Sequence, residues 1–304
     1  MNPTLRALVV LLSLTPALPA VAQPTVLATI GMIADPAQRI AGDCVRVDTL
    51  IGPGLDPHLY QARPSDIGRL RDADRIVALG LGLEGRLAEV LARVGAGILG
   101  PNVAPDRLLR HGEAVDPHLW MDPTLWSLTF PPLAEILQDL APDCADAIAQ
   151  RRDEEIQRAQ NLDTWARDSL ATIPPAHRVL LTAHDAFAYF SRAYGLENVA
   201  IQGISTESEP SIADIDAVAL LASQRQVPAA FIETTLNPRA VRALIEATAA
   251  RGHDLVIGGS LYSDAMGDPG SGDDTWPAMI VANVRTIALA LGGTPLPLPD
   301  GLLP

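Results

Sequence analysis

The sequence predicts an α/β protein of two lobes, each a mostly parallel sheet with flanking helices, joined by one long linking helix. Three observations lead there. Short apolar runs alternate with amphipathic stretches on both sides of the middle of the chain, which is how parallel sheets covered by helices read. Between the two series, Ile148, Ile156, Ala159, Leu162, Ala166 and Leu170 recur at three- and four-residue spacings amid Arg152, Asp153, Glu154, Glu155 and Arg158, the pattern of a single half-exposed helix. At ~1.5 Å per residue such a helix reaches ~40 Å, enough to run the length of a two-lobed body. Finally, Asp-Pro-His-Leu occurs twice, from Asp56 to Leu59 and from Asp116 to Leu119.

Residues 1–22 read as a signal peptide. Arg6 precedes an apolar run from Ala7 to Leu18, and Ala20-Val21-Ala22 meets the small-x-small rule, setting Gln23 as the mature start. The first lobe is expected over 23–141. Val26 to Ile30 reads as a buried strand, followed by a helix over Ile33 to Ala41 and a strand over Val45 to Ile51 that Gly52-Pro53-Gly54 breaks. Pro64-Ser65-Asp66 opens a helix with Ser65 as its N-cap and Ile67, Leu70 and Ala73 on its inner face. Strand Arg75 to Leu79, helix Leu83 to Val94 and a weak strand near Ile98 come next. A polar loop then leads to His118, and the helix from Leu125 to Leu140 is interrupted by Pro131-Pro132. The linking helix takes 142–173. The second lobe, 174–304, reads as strand Arg178 to Thr182, helix Asp185 to Tyr194, strand Val199 to Ile204, helix Ile212 to Ser223, strand Ala229 to Glu233, helix Arg239 to Arg251, strand Asp254 to Ile257 and helix Trp276 to Leu291, before a Pro-rich tail.

Charge narrows the function. Asp and Glu number 36 against 22 basic residues, a net of −14, and every base is arginine. Such a surface argues against nucleic acid and anionic lipid, both of which need basic patches. After the signal, no stretch is long and apolar enough to span a bilayer, so an exported, periplasmic protein is expected. Cys44 and Cys144 are the only cysteines. In an oxidising compartment a pair is expected to bond, a point only their distance decides, and neither belongs to a CxxC.

Four residues stand out as candidate metal ligands. His58 and His118 each follow an Asp-Pro pair, and proline stiffens the loop that presents them. His184 follows the first strand of the second lobe and Asp264 its last, so each lobe offers two donors from strand ends, where open α/β sheets put their ligands. Three neutral imidazoles and one carboxylate suit zinc, and manganese if the carboxylate binds through both oxygens. Taken singly, each histidine reads as readily as a hydrogen-bonded structural residue, and Asp264 as a turn residue; the joint pattern favours metal. Glu233, ending a strand, is a candidate to orient an imidazole. Glu207 and Glu209 read as caps for the helix that follows or as outer acceptors, and His111, His177 and His253 as surface residues.

These stretches give the chain a resemblance to the periplasmic metal-binding proteins of zinc and manganese ABC importers, the TroA-like group. The matching segments are Gly52 to Tyr60, Asp116 to Asp122, Thr182 to Phe187, Ile204 to Pro210 and Gly259 to Gly267, in the family's order through nearly all the mature chain. The resemblance implies two lobes on one long helix, a divalent zinc or manganese ion between them on His58, His118, His184 and Asp264, and delivery to ABC permease subunits by a monomer that catalyses nothing. Two departures are visible: Gly82 stands where the family often has a non-ligand histidine, and the loop before His118 lacks the histidine-rich tract of zinc-dedicated members. The rival reading is an exported zinc hydrolase using the same histidines; against it, the sequence has no HExxH and no general base beside them. A third reading, a surface adhesin, needs a sticky patch that sequence does not reveal.

Overall fold

The computed structural model describes residues 23–303, so the expected signal peptide at 1–22 lies outside the described residues. The first sheet is built from β1 (Thr25–Ala28), β2 (Arg46–Thr49), β3 (Arg75–Ala78) and β4 (Gly97–Ile98), in the order β2-β1-β3-β4 and all parallel. The middle strands are the apolar ones: Val26, Leu27 and Ala28 of β1 and Ile76, Val77 and Ala78 of β3 are buried, as parallel strands covered on both faces must be. Helices α1 (Gly31–Ala41), α2 (Pro64–Asp72) and α3 (Ala88–Val94) connect them. A two-residue hairpin, β5 (Arg110–His111) with β6 (Ala114–Val115), precedes His118.

Helix α4 (Pro123–Trp126) starts at Asp122, whose Oδ1 accepts from the Leu125 N–H at 3.0 Å. The expected interruption then falls earlier than the prolines. A 3-10 turn at Ser127–Thr129 makes the break, and Pro131 and Pro132 sit in the first turn of α5 (Phe130–Leu140), where a missing N–H costs nothing. Helix α6 (Ala145–Leu170) is the expected linking helix: its 26 residues span ~39 Å, with Ile148, Ala159, Leu162, Ala166 and Leu170 buried. Cys44 and Cys144 are bonded, S–S 2.11 Å, tying the turn after α1 to the start of α6. Beside that bridge, Arg151 of α6 donates to the Ile40 and Ala41 carbonyls at 2.8 and 2.7 Å.

The second sheet repeats the plan, with β7 (Val179–His184), α7 (Ala188–Tyr194), β8 (Glu197–Gln202), α8 (Ile212–Arg225), β9 (Ala229–Glu233), α9 (Arg239–Ala249), β10 (Val256–Leu261) and α10 (Trp276–Ala290). Its order is β10-β9-β7-β8, again parallel. In both sheets the chain returns to the other side of the first strand, so each has a crevice at its carboxyl edge where the order reverses. Among the described residues no helix is long and apolar enough to cross a membrane.

Three local expectations are corrected. Helix α2 is capped at Arg63 rather than Ser65: the Arg63 N–H donates to Asp66 Oδ2 at 2.7 Å, and the same oxygen accepts from Tyr60 Oη at 2.7 Å. With Asp66 and Leu70 facing inward one turn apart, Ile67 lies about 100° round the helix and is 51% exposed. Strand β10 runs on through Gly258-Gly259, a pair that reads as a break. A Cβ at Gly258 would stand 2.8 Å from both Phe231 and Ala290, so the glycine lets β10 lie against β9 and α10.

The cores do not divide where the sheets divide. One continuous core runs from the first sheet through α5, α6, α7 and α10 to the inner face of the second sheet, at Leu180, Phe231 and Leu261. A smaller one lies between the outer face, Leu181 and Ala230 among it, and Ala219, Ala222, Val241 and Leu244 of α8 and α9.

Candidate metal centre

The two Asp-Pro-His segments are built alike. Asp56 Oδ1 accepts from the His58 N–H at 2.8 Å and Asp116 Oδ1 from the His118 N–H at 2.9 Å, the side-chain turn that aspartate favours two residues ahead of a donor. Proline in between fixes the approach. Beyond the backbone the copies differ. Asp116 Oδ1 also lies 2.7 Å from His118 Nδ1, whereas Asp56 Oδ2 accepts from Thr206 Oγ1 of the second lobe at 2.5 Å.

His184 is the last residue of β7 rather than the first after it. Strand β9 lies beside β7 and ends in Glu233, so parallel pairing alone brings the two side chains together. Glu233 Oε1 accepts from the His184 N–H at 2.9 Å, and its Oε2 lies 2.5 Å from His184 Nδ1, the orienting contact expected of it. Asp264 follows β10 on a turn held by α10: Asn283 Oδ1 accepts from the Tyr262 N–H at 2.9 Å and its Nδ2 donates to the Tyr262 carbonyl at 2.7 Å.

All four candidate ligands converge. One donor atom from each of His58, His118, His184 and Asp264 lies within 4.8 Å of the others, and all four residues are buried. Asp264 Oδ1 is 3.3 Å from His118 Nε2 and Oδ2 is 3.2 Å from His184 Nε2. Short as these are, they lack hydrogen-bond geometry: the three Nε2 atoms and both Asp264 oxygens are buried without a hydrogen-bond partner. Buried polar atoms are as a rule paired; Asp116 Oδ2, Trp126 Nε1 and Tyr194 Oη are further exceptions among the described residues, but only these five converge, and together they mark a place for a cation. With Nδ1–H directed at Asp116 and Glu233, the free Nε2 lone pairs of His118 and His184 point inward.

Electrostatics fit that reading. Burial disfavours charge on His118, but the Asp116 and Asp264 carboxylates outweigh it and raise its pKa to about 9. At His184 burial is likewise overcome by Glu233 and Asp264, and the pKa is raised well above the usual value. His58 has no carboxylate bonded to its ring, and burial lowers its pKa. Asp264 is held well below the usual carboxylate range, burial notwithstanding, by His184 and His118. Four protein donors, no two adjacent in sequence, thus surround a cation-sized point with the protons as the cation's competitors.

The other candidates fall away from the site. Glu207 and Glu209 are exposed, and α8 is capped instead by Ser211 and Asp214. His111 is exposed, 2.8 Å from Asp185 Oδ2. His177 and His253 are half-buried rather than surface residues, bonding the Leu291 and Val227 carbonyls at 3.1 and 2.6 Å. Two supports of the site differ in how far the sequence signals them: Asp116, the partner of His118, is marked by the repeated Asp-Pro-His, and Thr206, the partner of Asp56, carries no local signal.

Known proteins resemble this chain along most of its length. The model of the family described as zinc-uptake complex component A, periplasmic, matches residues 26–290. The zinc-binding protein TroA of Treponema pallidum is 42% identical over 274 residues, covering 88% of this chain and 89% of its own. The manganese-binding lipoprotein MntA of Bacillus subtilis is 38% identical over 275 residues, covering 88% and 90%. The solved structure of the periplasmic zinc-binding protein TroA from T. pallidum superposes with a TM-score of 0.86 at 41% identity, over 89% of this chain and 99% of that one.

Proposed function

Because the chain belongs to the family of zinc-uptake complex component A periplasmic proteins, we propose that it is the extracytoplasmic solute-binding protein of an ABC importer. It captures a divalent transition metal, zinc or manganese, between its lobes and delivers it to the permease subunits. The ligands are His58, His118, His184 and Asp264. The observation that carries this reading is the set of buried, unpartnered donor atoms on His58, His118, His184 and Asp264. The lobes divide as 23–141 and 174–304 about the linking segment 142–173. The protein works in the periplasm after cleavage of its signal peptide, as a monomer with no nucleic-acid partner.

A hydrolytic zinc site keeps one coordination position for water. Here four protein donors, Asp264 among them, close on the cation, and the remaining carboxylate beside His184, Glu233, is engaged with that residue through both oxygens. The metal is therefore cargo, and the protein is not an enzyme. Relatives are named for zinc and for manganese. The N3O donor set serves zinc directly and manganese when Asp264 binds through both oxygens.

Mass-spectrometric metal analysis of the protein purified from its native periplasm, followed by titration of the stripped protein, tests the reading. About one equivalent of zinc or manganese per chain is expected. Protein that carries no transition metal and takes none up would overturn it, and metal-dependent turnover of ester, peptide or phosphate substrates that is lost in His118→Ala would put the hydrolase in its place.

A further inference from the structure

The ligand His118 sits on the first lobe and the ligand Asp264 on the second, and the residues next to them are joined by a bond that no metal makes. Trp120, two residues past His118, donates its indole N–H to the carbonyl of Ser263, the residue before Asp264, at 2.8 Å. The bond is answered in the same place. Trp276, which opens α10, donates its indole N–H to the carbonyl of Trp120 at 3.0 Å. Both indoles are buried, 0 and 1% exposed, and the Trp120 ring lies 5.3 Å from the His118 imidazole in an edge-to-face arrangement. Both N–H groups are buried, so separating the segments without solvent to replace the partners would leave two donors and two carbonyls unpaired.

We propose that Trp120 and Trp276 form a reciprocal clasp that fixes His118 against Asp264 before a cation arrives. Trp120 is thus a positioning residue for metal capture. The inference rests on the metal-binding reading above and adds to it that the ligand geometry is preset by an indole pair rather than assembled by the ion. A cation entering such a site loses little affinity to ordering its ligands.

A neighbour supplies the control. Trp126 belongs to the same aromatic stack, its ring 6.4 Å from that of Trp120 and equally buried, but its indole N–H has no hydrogen-bond partner. Replacing tryptophan by phenylalanine trims a ring in either case, yet only at 120 and 276 does it remove a bond between lobes.

The full-length mature protein and its Trp120→Phe, Trp276→Phe and Trp126→Phe variants are stripped of metal. Each is titrated with zinc against a competing chelator and with cobalt while the ligand-field absorption is recorded. Metal-free melting is measured in parallel. Trp120→Phe should bind zinc ~10–100-fold more weakly, the range seen when a partner that orients a ligand is lost, and its cobalt spectrum should change in energy and intensity. Trp276→Phe should shift both readouts in the same sense, and Trp126→Phe should leave both at the parent's values. A merely structural role would lower melting temperature while leaving zinc affinity and the cobalt spectrum alone, and that result would overturn the proposal. So would equal weakening in Trp126→Phe, which would assign the effect to ring packing. If Trp120→Phe does not fold, Trp276→Phe carries the same decision. Should the parent itself bind neither ion, the metal-binding reading falls, and the clasp with it as a device for capture; a parent that binds normally beside an unaltered Trp120→Phe sinks the clasp alone.

Discussion

Raising the pH from 6.5 to 9 should loosen the metal-free protein and tighten its hold on a cation, through the same protons. His118 has its pKa raised to about 9 in the folded chain, against ~6.5 for an unfolded histidine. A group raised on folding stabilises the fold fully below its unfolded pKa and loses that contribution as pH climbs through the folded one. At ~1.4 kcal/mol per unit, the His118 proton contributes on the order of 3 kcal/mol at pH 6, gone above pH 9. His184, also raised, acts in the same direction. A cation needs both Nε2 atoms bare, so binding near pH 7.5 releases two protons and apparent affinity should climb by up to ~100-fold per pH unit toward pH 9. His58, its pKa lowered by burial, is already neutral there and adds nothing to the slope. Calorimetry of stripped protein from pH 6 to 9.5 reads the first effect, and zinc titration against a chelator of known proton affinity reads the second. Affinity that levels off above pH 7, together with a metal-free melting temperature that does not fall, would refute the two ion-paired imidazoles.

Other perturbations separate the parts of the site. With zinc at a thousand times its dissociation constant the parent should gain ~4 kcal/mol; His58→Ala and Asp264→Ala, one from each lobe, should each abolish most of the rise in melting temperature. His253→Ala loses a bond to the Val227 carbonyl and should keep that rise whatever its basal stability. Glu233→Gln preserves shape but removes the charge behind His184 Nδ1, and zinc affinity measured by competition should drop ~10–100-fold. Reducing the Cys44–Cys144 bridge, which closes a separation of 100 residues, should cost up to ~4 kcal/mol by thermal melting while stoichiometric metal binding persists.

What the sequence reveals and what it hides follow from range. The αβ alternation, α6 and the four candidate ligands are legible because each depends on local pattern: apolar runs of strand length, a 3.6-residue period, an imidazole behind Asp-Pro at a strand's end. The sequence pattern ends this strand at Ile257, where Gly258-Gly259 carries a local break signal, while the reason for glycine there, the closeness of Phe231 and Ala290, is tertiary. Apolar spacing with Leu70 and Ala73 points Ile67 inward, although the buried Asp66 carboxylate, bonded by Arg63 and Tyr60, sets the rotation of α2. The contacts that finish the site join residues far apart in the chain: Glu233 with His184, Thr206 with Asp56, Trp120 with Ser263. Of these, only Glu233 left a trace, as a carboxylate at a strand end beside a histidine-bearing one.

The continuous core bears on how this molecule could be put to use. Val26 at the start of the described chain and Leu302 near its end belong to one apolar interior, and swinging the sheets apart would wet that interior at ~25 cal/mol for every Å² opened. A biosensor with one fluorophore on each sheet would thus register scarcely any change in energy transfer when cation is added. Nor can the gene be cut after 173 to yield two working halves, since each fragment would expose the apolar face that the other covers. A sensor built on this scaffold has to read something local instead, and the tryptophans beside His118 provide an intrinsic emitter at the proposed metal site.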